Sequence, residues 1–252
     1  MLRTKNLFGY TLIELSIVIM LIGIIAGSAL HIAAESLESD RQEESAHILD
    51  DIEFAMQVYF RQHGNLPCPA DSTLPIDDVA FGIAQPTPCI AASPSLWNDA
   101  HANRGAVPVK SLGLPLDFAF DSWEQQILYV VQTDYTEGTP PEITNHITDP
   151  DDTALPFTTE HLSIIDNFDV TMESDEPDNG IAYILVSFGK DKRGSLSKNA
   201  ALTLPCMAAT TLDNENCNDD IVFRDAEIVD TENNATYFYD MVRWKSRYNF
   251  KG

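Results

Sequence analysis

Positive charge is scarce in this chain: 15 Lys and Arg stand against 39 Asp and Glu over 252 residues, a formal net charge of -24. Phosphate backbones repel such a surface, which excludes nucleic-acid binding through a broad electrostatic face and leaves only a small local basic patch open to it. The one dense basic cluster, Lys190-Asp191-Lys192-Arg193, reads first as a solvated loop. Cysteine is also sparse. The four cysteines contain no Cys-x-x-Cys unit and the six His residues do not cluster with them, which argues against zinc. A Gly-x-Ser-x-Gly elbow, a phosphate-cradling glycine loop and the EF-hand pattern are all missing. Ser187, His161 and Asp166 can be imagined as a triad, but Ser187 lies inside the end of a predicted strand and such residues scatter through any chain of this size. The expectation is a protein that is not an enzyme and holds no catalytic cofactor.

What the chain does have is one almost unbroken apolar run, from Gly9-Tyr10-Thr11-Leu12-Ile13 through Leu30, with a single carboxylate, Glu14, near its front. An ionised acid at the centre of a membrane helix costs about 2.5–3.5 kcal/mol, so a retained one is by default functional and seeks a partner. The natural partner is an amine. Arg3 and Lys5 precede the run, and cleavage after Gly9 exposes a new α-amino group on Tyr10, four residues from Glu14. Two plainer readings compete. Gly27-Ser28-Ala29 could serve as the cleavage site of a secretory signal, giving a mature start at Leu30. An ordinary membrane anchor fits the length and the orientation, with Arg3 and Lys5 inside and Glu35, Glu38 and Asp40 outside. Neither accounts for Glu14.

The short basic leader, the Gly9 junction, the aromatic Tyr10, then Thr11-Leu12-Ile13 and Glu14 resemble the class III signal of type IV prepilins and of type II secretion pseudopilins. The resemblance implies that a prepilin peptidase, a membrane aspartyl protease, removes residues 1–9 and methylates the Tyr10 amine. It also implies that Glu14 docks the subunit into a helical filament. Loss of Arg3 and Lys5 with the leader changes the formal charge from -24 to -26. Major pilins of this family usually carry Pro where His31 stands, which makes the chain look like a minor component. Gly23 and Gly27 either let the helix lose structure in a filament or form a small-xxx-small pair for close helix packing.

Beyond the apolar run, Ile48, Ile52, Ala55 and Tyr59 recur at helical spacing, and His63-Gly64-Asn65-Leu66-Pro67 supplies a stop. A helix from Tyr10 to His63 would measure about 80 Å at 1.5 Å per residue. Residues 10–34 are then a transmembrane or filament-core segment, 35–64 its amphipathic continuation, and 65–252 a globular head. The stretch 66–116 reads as a long irregular loop. Strands are expected at 126–131 and 181–186, and further at 162–165, 221–224 and 238–244. The expected fold is α+β, pilin-like: a long N-terminal helix, membrane-spanning in its first half, packed on an antiparallel sheet of about four or five strands. Three cysteine pairings are formally open, and spacing favours Cys68 with Cys89 and Cys206 with Cys217, each bridge contributing about 3 kcal/mol in an oxidising compartment.

The head resembles a group of large prepilin-like proteins through Gly64-Asn65-Leu66-Pro67-Cys68-Pro69-Ala70-Asp71, Gly105-Ala106-Val107-Pro108, Leu112-Gly113-Leu114-Pro115, Asp121-Ser122-Trp123, Ser187-Phe188-Gly189-Lys190 and Tyr239-Asp240-Met241-Val242-Arg243-Trp244. That group brings no activity with it. Asp213, Glu215, Asp219 and Asp220 surround Cys217 with hard oxygen donors of the kind calcium accepts, and some pseudopilins hold calcium in a C-terminal loop; a solvated acidic loop is the plainer reading. Asn234-Ala235-Thr236 is a glycosylation sequon that a prepilin-bearing bacterium usually leaves unmodified. The expected function is a minor type IV pilin or pilin-like subunit, with a type II secretion pseudopilin or a non-polymerising anchored binding module as alternatives. Its expected partners are prepilin peptidase, other pilin or pseudopilin subunits, an inner-membrane assembly platform and membrane lipid. The expected location is the bacterial inner membrane, single-pass with the N-terminus cytoplasmic and the head periplasmic, and later a filament or the cell surface.

Overall fold

A computed structural model describes residues 12–87, 89, 102–132, 135–136, 162–173, 181–206, 212–218, 220–229 and 237–246, and the side chains of these except at 26–34, 102 and 213. Helix α1 spans Leu12–His63. Strands follow as β1 Ala102–Ala106, β2 Leu128–Gln132, β3 Ser163–Ile165, β4 Thr171–Glu173, β5 Ile181–Ser187, β6 Val222–Arg224 and β7 Met241–Ser246. The chain divides into two compact units, Met1–Glu43 and Glu44–Gly252, with the boundary inside α1.

The expected architecture of a long, partly membrane-spanning helix packed on one antiparallel sheet is overturned. Described helical side chains fall in two stretches, 12–25 and 35–63, and only the part from Glu44 onward belongs to the sheet-rich unit. No helix among the described residues is long and apolar enough to cross a membrane. The single-pass inner-membrane location falls with it. The sheet expectation is corrected as well, because the described residues form two sheets and the second is mixed.

The first sheet has the order β1-β2-β5-β7 and is antiparallel throughout. The second has the order β4-β3-β6, with β3 antiparallel to β4 but parallel to β6. Strand β5 explains the layering. All seven of its residues are buried, so both faces of the first sheet are covered. On one face Tyr129, Val131, Tyr183 and Leu185 join Leu49, Ile52, Met56 and Phe60 of α1 in one apolar cluster. On the other, Leu128, Val130, Ile184 and Val186 pack with Ile164 of β3 and Phe223 of β6. Within Glu44–Gly252 the order of layers is therefore helix, four-stranded sheet, three-stranded sheet. β1 arises inside the stretch read as irregular. Its sequence, Ala102-Asn103-Arg104-Gly105-Ala106, has no apolar alternation to betray a strand.

Candidate functional site

The N-terminal motif is described only from Leu12, so Gly9 and Tyr10 lie outside the described residues. Glu14 sits in the first turn of α1, where a negative side chain complements the partial positive charge of the helix start. It is exposed, and so are its apolar neighbours: every large apolar side chain from Leu12 to Ile25 is between 45% and 88% exposed, on all faces of the helix. A helix apolar all round is not a water-facing helix.

In the sheet-rich unit the structure brings separate motifs to one point. Asp121 accepts hydrogen bonds on one carboxylate oxygen from the backbone N–H groups of Trp123 (3.0 Å) and Gln125 (2.9 Å), and on the other from the Ser187 hydroxyl (2.8 Å). The Asp121-Ser122-Trp123 turn is thereby tied to Ser187-Phe188-Gly189-Lys190. The next residue ties the same turn to the helix: the Ser122 N–H donates to Ser45 Oγ at 3.0 Å and its hydroxyl to Glu44 at 3.1 Å. Gln125, also buried, accepts on its side-chain oxygen from the hydroxyls of Ser195 and Thr203 and donates to the Trp123 carbonyl. Burial pushes the Asp121 carboxyl up to about 6, against the pull of its three hydrogen bonds and of Lys192. Strain gathers here too. Of the four described non-glycine residues at positive φ, Glu124 (64°), Lys192 (59°) and Ala200 (57°) flank this network.

Two further motif segments meet where glycine is required. A side chain on Gly105 would strike the Ala70 carbonyl, which lies against β1 because Ala70 and Ala106 exchange backbone hydrogen bonds of 2.9 and 3.0 Å. Gly189, at φ 60°, leaves room for the Tyr239 carbonyl. These segments thus help build the interior of the sheet-rich unit.

The imagined triad does not assemble. Ser187 is fully buried and bonded to Asp121, whereas Asp166 accepts from the N–H groups of Phe168 and Val170 in a tight turn, and His161 lies outside the described residues. The cysteines are joined as Cys68–Cys89 and Cys206–Cys217. Around the second bridge, residues Leu212–Cys217 form a 3-10 turn. Asn216 is buried there, its side-chain oxygen accepting from the Arg224 N–H at 2.6 Å and its amide donating to the Arg224 carbonyl and Asp240, each at 3.0 Å. Of the four acids considered for calcium, Asp219 and the side chain of Asp213 lie outside the description. The Asp220 carboxylate accepts from the Val222 N–H at 2.9 Å and from Asn218 at 3.0 Å, so it serves the turn. Glu215 is pushed up by burial first and by Asp220 next. Among the described residues no group of three or more His, Cys, Asp or Glu is placed to hold a metal. Lys190-Asp191-Lys192-Arg193 is partly structural: Arg193 pairs with Asp191 at 3.4 Å, and the Lys190 amine stands 4.6 Å over the Tyr239 ring.

Reading the chain alone missed the Asp121–Gln125–Ser195–Thr203 network and the buried Arg104 and Arg224. Arg104 stacks over Phe223 at 5.2 Å and donates to the Asn218 carbonyl; Arg224 pairs with Asp169 at 2.5 Å. The available signal was rarity. In a chain this poor in base, an Arg directly after Val222-Phe223 stands out as a partner for buried polar groups. Comparison with protein-family models, with curated proteins and with solved structures finds no match to this chain.

Proposed function

We propose that this chain is a minor type IV pilin or pilin-like subunit, matured by prepilin peptidase at Gly9-Tyr10 and assembled with other pilin-like subunits into a helical filament. The observation that carries the reading is the ring of exposed apolar side chains around residues 12–25 with one carboxylate, Glu14, among them. In a bundle of equivalent helices that surface is buried. The Tyr10 amine created by cleavage then meets a carboxylate, its own or a neighbour's, instead of entering an apolar core unpaired.

The sheet-rich unit supports the same reading by what it is built for. Its motif residues make hydrogen bonds and close backbone contacts inside the fold, and its disulfides suit an oxidising compartment. A rigid carrier head is the result. The type II secretion pseudopilin differs from the pilus subunit only in its machine, and gene neighbourhood separates the two.

Two measurements test the proposal. N-terminal mass spectrometry of the mature protein should find methylated Tyr10, and Gly9→Val should leave the leader attached; a start at Leu30 establishes the secretory-signal reading instead. Tagged Glu14→Ala protein should be cleaved and accumulate normally yet be lost from sheared filaments, because breaking a buried pair costs about 3–5 kcal/mol. Incorporation equal to wild type refutes the pairing role.

A further inference from the structure

The turn at Asp121 joins a buried titratable group to the helix it packs against, a connection the filament reading does not use. Asp121 closes its own turn. One carboxylate oxygen accepts from the N–H groups of Trp123 and Gln125, the Asp121 N–H donates to the Gln125 carbonyl, and the Glu124 N–H donates to the Asp121 carbonyl, the last two at 2.9 Å each. Inside the turn Glu124 is held at φ 64°, a left-handed backbone that a non-glycine residue keeps only when its surroundings hold it there. Ser122, next to the carboxylate, is given over to α1: its N–H donates to Ser45 Oγ and its hydroxyl to the Glu44 carboxylate. Ser45 is itself fully buried. A strained turn closed by one carboxylate, with a helix contact on the adjacent residue, passes a change at that carboxylate on to the contact.

The surrounding groups offer the Asp121 charge little compensation. β5 brings only the Ser187 hydroxyl, and α1 brings Glu44, a like charge. The turn itself brings Glu124, which is paired with Lys198 at 3.0 Å. The loop after β5 brings Lys192, while Arg193 is engaged with Asp191 at 3.4 Å and the Lys190 amine stands over the Tyr239 ring. We infer that the proton on Asp121 operates a latch between the 121–125 turn and α1, closed while the proton is in place and released as it leaves. With the proton on the oxygen facing Ser187, the Asp121 hydroxyl donates to Ser187 Oγ and the other oxygen keeps both N–H donors, so the turn is closed around no buried charge. Without it, the carboxylate gains water by opening the turn, and Ser122 parts from Ser45 and Glu44. Opening returns Asp121 from about 6 to the ordinary carboxylate range of about 4. The closed form is therefore favoured in full below about pH 4 and loses that advantage as pH rises through about 6.

The test is residue-resolved amide exchange by NMR on the full chain in nonionic detergent between pH 5 and 7, expressed as protection factors so that intrinsic base catalysis drops out. The Ser122 N–H reports the helix contact, and the Trp123 and Gln125 N–H groups report the turn. Protection of all three should fall together by about tenfold or more, at the midpoint where the Asp121 carboxyl carbon titrates. Asp121→Asn keeps an acceptor for the two N–H groups and a donor for Ser187, so it should stay closed and hold its protection at pH 7. Glu44→Gln keeps an acceptor for the Ser122 hydroxyl and should leave the midpoint where it is, which sets aside the other carboxylate at the contact. Ser122 protection that stays constant while Asp121 titrates would deny the turn any hold on the helix and overturn the inference. An equal fall in Asp121→Asn would assign the effect to another group, and a fall shared by the amides of β2 and β5 would make it general unfolding; either outcome overturns the latch as well.

Discussion

Asp121 is the residue on which the interior of the sheet-rich unit turns, because its carboxylate gathers the 121–125 turn and Ser187. Its folded pKa, raised to about 6, has a definite consequence for stability. The folded state holds this proton more tightly than the unfolded chain, so the contribution is fully present below about pH 4 and is lost as pH rises through about 6. About two pKa units correspond to about 3 kcal/mol. Urea unfolding at a series of pH values should therefore show wild type losing more stability than Asp121→Asn between pH 4 and 7; parallel profiles would remove Asp121 as the source. A second residue-scale test is Gly105→Ala. Its methyl group would press on the Ala70 carbonyl, a backbone atom held by the Ala70–Ala106 hydrogen bonds, so a loss of about 1–3 kcal/mol is expected in the same assay. Asp121-Ser122-Trp123 and Gly105-Ala106 were visible in the chain as motifs. Their partners were not, since Ser187 lies 66 residues from Asp121 and sequence spacing carries no trace of that contact.

At the scale of elements, the helix from Glu44 onward meets β7 through two ion pairs of unequal character. Glu53 and Lys245, 3.1 Å apart, are both largely covered, with side-chain exposures of 13% and 24%, while Arg243 and Asp50, 3.2 Å apart, are more open to water. Burial raises the Glu53 pKa despite the Lys245 hydrogen bond. Lys245→Ala leaves a covered carboxylate without its amine and should cost about 2 kcal/mol or more, whereas Arg243→Ala should cost about 1 kcal/mol or less. Thermal unfolding of the two variants side by side checks the order, and equal losses would show that burial does not distinguish the pairs. The apolar runs at 126–131 and 181–186 were readable because β2 and β5 are covered on both faces and need no alternation. β1 escaped because five polar or small residues look the same in a strand and in a loop, and β4 because three residues with one apolar side chain, Met172, carry no alternation. They are strands because β2 and β3 lie beside them.

At the scale of the whole chain, two bridges tie segments outside the helix and the strands. Cys206–Cys217 closes a separation of 11 residues, and Cys217 packs in the cluster between the two sheets with Phe223 and Leu196. Replacing both Cys206 and Cys217 by Ser should cost about 3 kcal/mol and shift the urea midpoint. An unchanged midpoint would mean that Asn216 and Arg224 hold the turn without the bridge. What the chain by itself determined is what depends on local chemistry: the net acidity, the Gly64 helix stop and the close cysteine pairs. Each is a matter of neighbours along the chain. The tertiary structure decided the division into two units and the second, mixed sheet. The parallel β3–β6 pair joins strands almost sixty residues apart, and only burial of Ile164 and Phe223 against the far face of the first sheet selects it.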